Sequence, residues 1–227
     1  MHTQRLLTAS GLNGPRPHPG TMGFYRTRVL PRLLDWSERL PGFEAARQRA
    51  VEYVGGHVLE IGSGIGSTLM FYSGEITSLT TVDPNPVLNA RARRRLRQVP
   101  FPVDVREGRA ESLPVKDASY DCVVSTFALC CVDNLDAVAA EIFRVLKPGG
   151  RFHFVEIGLS PDPAEARWQR RLNGLQRLLV DGCRLDLSIE TALTGAGLGI
   201  KRLEMTRLEG LPKPLGCAYE GMASRAA

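Results

Sequence analysis

Cysteine is scarce and odd in number: five among 227 residues, at positions 122, 130, 131, 183 and 217. They form no CxxC pair and no Cys/His cluster at ligand spacing, so neither a zinc module nor a disulfide scaffold is expected. A reduced, cytoplasmic setting with no bound metal is the expectation. Histidine is nearly as rare, with four in the chain. His2 and His18 fall near the amino terminus, His57 opens an apolar run, and His153 alternates with Phe152 and Phe154 as a packed residue would. No histidine therefore offers itself as a base. No apolar run reaches the roughly 18 residues of a membrane span. The first twenty residues also lack the apolar core of about 7–15 residues that a signal peptide needs. Residues 1–20 are expected to be a flexible leader and 21–227 one domain, because the length suits a single sizeable core. Internal repeats and low-complexity blocks are absent.

Charge is mildly unbalanced, with 29 Lys and Arg against 24 Asp and Glu, a net of +5. Arg91, Arg93, Arg94, Arg95 and Arg97 are the densest basic group. Leu88, Ala92 and Leu96 recur every four residues through the same stretch, so the arginines read as the wet face of a helix rather than a nucleic-acid surface.

Helical patterns run from Tyr25 to Leu40, with Pro31 kinking or restarting the helix, and from Phe43 to Val54; these would cap the fold. Short β-rich runs then alternate with helical stretches: His57–Ile61, a helix, Leu79–Asp83, a helix, Val103–Arg106, and Asp121–Phe127. A helix over Leu135–Leu146, a strand over Arg151–Glu156, helices near Ala164–Val180 and Ile189–Ala196, and two final strands complete the order. Regular alternation predicts an α/β fold with a mostly parallel sheet covered on both faces. Ligands of such sheets bind at the carboxyl ends of the strands.

The run Val58-Leu59-Glu60-Ile61-Gly62-Ser63-Gly64-Ile65-Gly66 is an apolar strand entering closely spaced glycines, followed by an expected helix. Glycine lets the chain turn sharply and a ligand approach bare backbone. Asp83 ends the next strand about twenty residues on, where a carboxylate can accept both ribose hydroxyls. An adenosine-bearing ligand is implied.

Four further segments follow in order: Asp83-Pro84-Asn85-Pro86, Gly108-Arg109-Ala110-Glu111-Ser112-Leu113-Pro114, Ser119-Tyr120-Asp121-Cys122-Val123-Val124-Ser125 and Arg144-Val145-Leu146-Lys147-Pro148-Gly149-Gly150. Together they resemble the ordered motifs of class I S-adenosylmethionine-dependent methyltransferases. The resemblance implies a Rossmann-like sheet of seven strands with an antiparallel last strand, N-terminal cap helices, and S-adenosylmethionine as donor with S-adenosylhomocysteine as product. It also implies donor contacts from Glu60, Gly62, Ser63, Gly64 and Gly66 to the methionine part, and from Asp83 and Pro84 to the ribose. Ala110 and Glu111 would meet the adenine, Ser125 and Thr126 would line the crevice, and Tyr25 would close over it. Where many relatives carry an aspartate, this chain has Arg109, which cannot accept a hydrogen bond.

A closer resemblance lies in Phe127-Ala128-Leu129-Cys130-Cys131-Val132-Asp133, Phe154-Val155-Glu156 and Asp181-Gly182-Cys183, the last following a helix that bears Trp168 and Gln169. These look like the membrane-associated alkyl thiol methyltransferases and their soluble bacterial relatives. The implied activity is S-methylation of a small thiol. The alternatives are O-, N- or C-methylation of a lipid, quinone or specialised metabolite and, more distantly, a non-catalytic cofactor-binding or membrane-surface module. Ile157 and Arg184 stand where relatives place histidine, and histidine or asparagine. Glu156 is the candidate base and Arg184 a candidate for holding an acidic group or lowering a thiol's pKa. Cys130 and Cys131 read as small apolar fillers near the pocket, with redox or metalloid chemistry as the functional alternative. Trp168, Leu172, Leu175 and Leu179 read as a core stripe, with a lid or membrane-facing role as the functional version. No base-pocket motif follows the fourth strand, so no nucleic-acid partner is expected; the partner is a small acceptor, apolar or thiol-bearing.

Overall fold

The computed structural model describes residues 28, 32, 35, 36, 40–73, 75–95, 99–180 and 182–227. The leader, Tyr25, most of the expected first cap helix, Leu96, Arg97 and Asp181 lie outside the described residues.

Seven strands form one sheet: β1 (Gly56–Ile61), β2 (Ile76–Asp83), β3 (Val103–Glu107), β4 (Tyr120–Thr126), β5 (Leu146–Ile157), β6 (Leu198–Arg207) and β7 (Cys217–Arg225). Their order is β3-β2-β1-β4-β5-β7-β6. The first five are parallel, and β7 runs antiparallel to both β5 and β6. The expected fold class is the observed one. Cys122, Val123, Val124 and Ser125 in the middle of β4 are all fully buried, as an interior parallel strand with helices over both faces requires.

Among the described residues, five helices with complete bounds pack around it: α1 (Pro41–Val51), α2 (Pro86–Arg95), α3 (Leu135–Val145), α4 (Pro163–Leu179) and α5 (Ile189–Gly195). Asn134 caps α3 by accepting from the Ala137 amide at 3.1 Å. Asp162 caps α4 by accepting from Ala164 at 2.7 Å and Glu165 at 3.2 Å, with Pro163 placed where a missing N–H costs nothing. Strand alternation divides the core. Leu59, Ile61, Phe152 and Phe154 join the α3–α5 side, while Val58 sides with Val51 and Leu69. Glu60 and Glu156 thereby project from opposite faces.

Two expectations fail. The glycine run leads only into a short 3₁₀ turn, Leu69–Phe71, not an α-helix. Gly62, Gly64 and Gly66 all hold left-handed φ angles, so no α-helix can begin before Ser67, and the few residues left before β2 are too short a stretch to sustain one on their own. The stripe on α4 is not core: Trp168 is 55% exposed, and Leu175 and Leu179 are also exposed, with Leu172 alone packing partly inward. The inward face is amide instead. Gln169 is fully buried, donating to the Gly158 carbonyl at 2.9 Å and accepting from the Ser160 amide at 2.7 Å. Asn173 accepts from the Leu185 amide at 2.9 Å. Hydrogen bonds to the segments flanking α4 have overridden the apolar period. Among the described residues, no helix is long and apolar enough to cross a membrane.

Candidate functional site

The site is built at the carboxyl ends of β1, β2, β4 and β5. The chain leaves β1 through Gly62, Gly64 and Gly66, at φ 68°, 54° and 81°. A Cβ on Gly62 would stand 2.3 Å from that of Ala128, so glycine there permits the close approach of two loops. Gly64 differs: no described heavy atom lies within 4 Å of where its Cβ would be. Its amide donates to Asp83 Oδ2 at 3.0 Å, and the Asn85 amide donates to Asp83 Oδ1 at 2.8 Å. The carboxylate ending β2 is thus turned toward the glycine cradle, as the spacing of the motifs predicts. Pro84 is exposed beside it.

Two buried polar atoms at the cradle lack a partner among the described residues: Ser63 Oγ and Glu60 Oε1. Burial lifts the Glu60 carboxyl from 4.5 to about 7 against hydrogen bonds from Thr68 and Tyr72 and the charge of Arg47. Arg47 is itself buried, its guanidinium 5.6 Å from the Phe43 ring centroid and 5.3 Å from that of Phe127. Sequence reasoning passed over Arg47, because one arginine in a charged amphipathic helix carries no local sign that it is enclosed. An open cleft of about 430 Å³ lies beside it, lined by Arg47, Ser67, Met70 and Phe71 among others, with neither Asp83 nor Glu111 in its wall.

Glu156 closes β5. Its Oε1 accepts from Ser125 Oγ at 2.6 Å and from the Ala128 amide at 3.2 Å, while Oε2 is buried with no partner among the described residues. Burial raises this carboxyl from 4.5 to about 7, although Ser125 and the amides of Leu129, Ala128 and Cys130 favour its charged form. The turn that brings those amides in begins at Phe127, whose φ of 58° is a costly left-handed angle for an aromatic residue. The ring is held by Phe43, with centroids 4.6 Å apart.

Ser125 is thus spent on Glu156, and Thr126 meets Thr68, hydroxyl to hydroxyl, at 2.9 Å. Glu111 accepts from the Asp133 amide at 2.9 Å and from Arg109 at 3.3 Å, tying the Ala110 turn to the loop before α3. The Arg184 amide donates to the Cys130 carbonyl at 2.8 Å, which sets this residue against the same 128–131 turn that holds Glu156. Arg184 Nε is buried and has no partner among the described residues. His153 is packed, and burial followed by Arg151 and Arg202 lowers it to about 4. It is no base.

Both carboxyls hold protons in the folded chain at pH values where an unfolded glutamate has lost them. The folded state therefore binds more protons, and stability falls as pH rises from about 4.5 to about 7, by roughly 3 kcal/mol for each group. Glu60→Gln should flatten the curve of unfolding free energy against pH by about that amount between pH 5 and 8. Urea titrations of the ligand-free protein at several pH values measure it, and parallel curves for variant and parent would refute the assignment.

Residues 59–154 match the family described as methyltransferase domain. The chain is 33% identical over 154 residues to human thiol S-methyltransferase TMT1A, covering 65% of this chain and 62% of that protein. It therefore spans less than two thirds of that relative's length. It is 30% identical over 172 residues to phosphatidylethanolamine N-methyltransferase of Cereibacter sphaeroides, covering 68% of this chain and 84% of the relative. A solved geranyl diphosphate methyltransferase, in complex with its diphosphate and sinefungin, superimposes with a TM-score of 0.65 at 16% identity, over 81% of this chain and 76% of that one.

Proposed function

The chain belongs to the class I S-adenosylmethionine-dependent methyltransferases, and from that premise we propose that it methylates a small acceptor at the carboxyl ends of β1, β4 and β5, the acceptor atom being a thiol sulfur. S-adenosylmethionine, when bound, supplies an electrophilic methyl group on a sulfonium. The observation that carries the reading is the cradle: open space over Gly64, with Asp83 facing it and the unsatisfied Ser63 Oγ and Glu60 Oε1 beside it. Those residues fit the donor. Glu60 would receive its ammonium group, and Ser63 with the backbone from Gly62 to Gly66 its carboxylate. Asp83 and Pro84 would hold the ribose, and the Ala110–Glu111 backbone the adenine. Ser125 and Thr126 fix the walls, their hydroxyls being engaged within the protein. Tyr25, which the sequence suggests as a closure over the donor, lies outside the described residues.

On the acceptor side, Glu156 takes the proton. A base near pKa 7 is well matched to a thiol of about 8.5. Arg184 then steadies the thiolate with its buried Nε–H. With the donor bound, transfer would break its methyl–sulfonium bond as the bond to the acceptor sulfur forms, releasing S-adenosylhomocysteine; the thiolate and sulfonium charges would cancel, which a dry site favours. Holding the two reactants in contact supplies much of the remainder, up to about 7–11 kcal/mol in favourable cases.

Calorimetry with S-adenosylhomocysteine, then mass-spectrometric screening of thiols, phenols, quinols and primary amines for a product heavier by one methylene, tests this reading. Product from thiols is expected. Product from amines alone would favour the phosphatidylethanolamine-type chemistry, and absence of donor binding would end the proposal.

A further inference from the structure

Cys130 and Cys131 sit in the 3₁₀ turn after β4, and Cys183 lies 53 residues beyond Cys130, in the turn that follows α4. Folding gathers them. The sulfurs of Cys130 and Cys183 are 3.0 Å apart, those of Cys130 and Cys131 3.7 Å, and all three lie within 4.8 Å of one another. Cys130 and Cys183 are buried, Cys131 is half-buried, and all three are free thiols. Backbone bonds set this arrangement independently of sulfur: the Arg184 amide donates to the Cys130 carbonyl at 2.8 Å and the Cys183 amide to the Val180 carbonyl at 2.9 Å.

Three thiols converging on one point offer a donor set that apolar packing does not need. Zinc–sulfur bonds of about 2.3 Å at tetrahedral angles place sulfurs about 3.8 Å apart, inside the span seen here. Among the described residues, no His, Asp or Glu side chain joins the group. An all-sulfur set excludes hard cations, which require several oxygens, and selects soft ones. Arg184 lies near enough to Cys183 to act on it electrostatically, offsetting the negative charge that three thiolates bring to one ion.

We infer that Cys130, Cys131 and Cys183 form a trithiolate site for one soft, thiophilic ion, with any fourth position open to an outside ligand past Cys131. Each sulfur releases its proton to water as its bond to the ion forms, and no electrons change hands. The inference does not rest on the methyl-transfer reading, although the two sites share the 128–131 turn and Arg184.

Cadmium is the probe. The reduced full-length protein, titrated anaerobically with Cd(II), should develop sulfur-to-metal charge-transfer absorption that saturates at one ion per chain and releases three protons. Zinc and arsenite, added in separate arms, should displace it: zinc if an outside ligand completes a tetrahedron, arsenite if three sulfurs suffice. Cys131→Ser and Cys183→Ser should each weaken cadmium binding about 100-fold or more. Cys122→Ser and Cys217→Ser, whose thiols lie outside the trio, should leave it unchanged. Wild-type protein that takes up no stoichiometric cadmium, or equal binding by Cys131→Ser, whose half-buried side chain makes it the gentlest change, overturns the inference.

Discussion

Glu156→Gln is expected to leave the chain folded and to cut transfer to a phenol or alcohol by about a hundred- to ten-thousand-fold, the usual worth of a positioned base. Transfer to a thiol, assayed at pH 8.5 where about half the acceptor is already thiolate, should fall by less than about tenfold. The amide oxygen can still accept from Ser125 and Ala128, so the turn that these bonds hold should survive. Losing a carboxyl that resists ionisation should even make the variant roughly 3 kcal/mol more stable above pH 7. Turnover of both acceptor classes, with donor affinity by calorimetry and urea unfolding at pH 8, gives the three readings together. A thiol rate that collapses as steeply as the phenol rate would show that proton removal limits both, and the thiol preference would lose its basis.

The second large effect separates two glycines of one loop. Gly64→Ala takes on a left-handed angle at a cost of about 1–2 kcal/mol, and its methyl enters open space, so the protein should remain folded. The same methyl stands in the crevice assigned to the donor, and donor affinity should drop on the order of 100-fold. Gly62→Ala collides with Ala128 and should lose about 3 kcal/mol or more of stability. Thermal unfolding and calorimetry on the pair distinguish a blocked seat from a broken loop. Wild-type donor affinity in Gly64→Ala would move the donor elsewhere.

What could be read from the chain was what local pattern encodes. The apolar runs ending at Ile61, Asp83 and Phe127 announce parallel strands, and the Gly62–Gly66 spacing marks the turn that the Asp83 carboxylate faces. Glu156 stands out in the sequence because a carboxylate near the end of an apolar strand is conspicuous. The rest depends on segments far apart in sequence. Cys183 meets Cys130 only because α4 returns the chain to the end of β4. Arg47 is enclosed by rings from positions 43 and 127. The inward face of α4 was misread because hydrophobic period assumes that oil faces the core, whereas Gln169 and Asn173 bind backbone there.

That reversal bears on how the molecule opens. Detaching α4 would wet mainly amides rather than hydrocarbon, so the step carries a small heat-capacity change and a barrier made largely of exchangeable bonds to water. Its amide hydrogens should then exchange through a local excursion well below the global unfolding free energy, while those of β4 wait for the whole sheet to come apart.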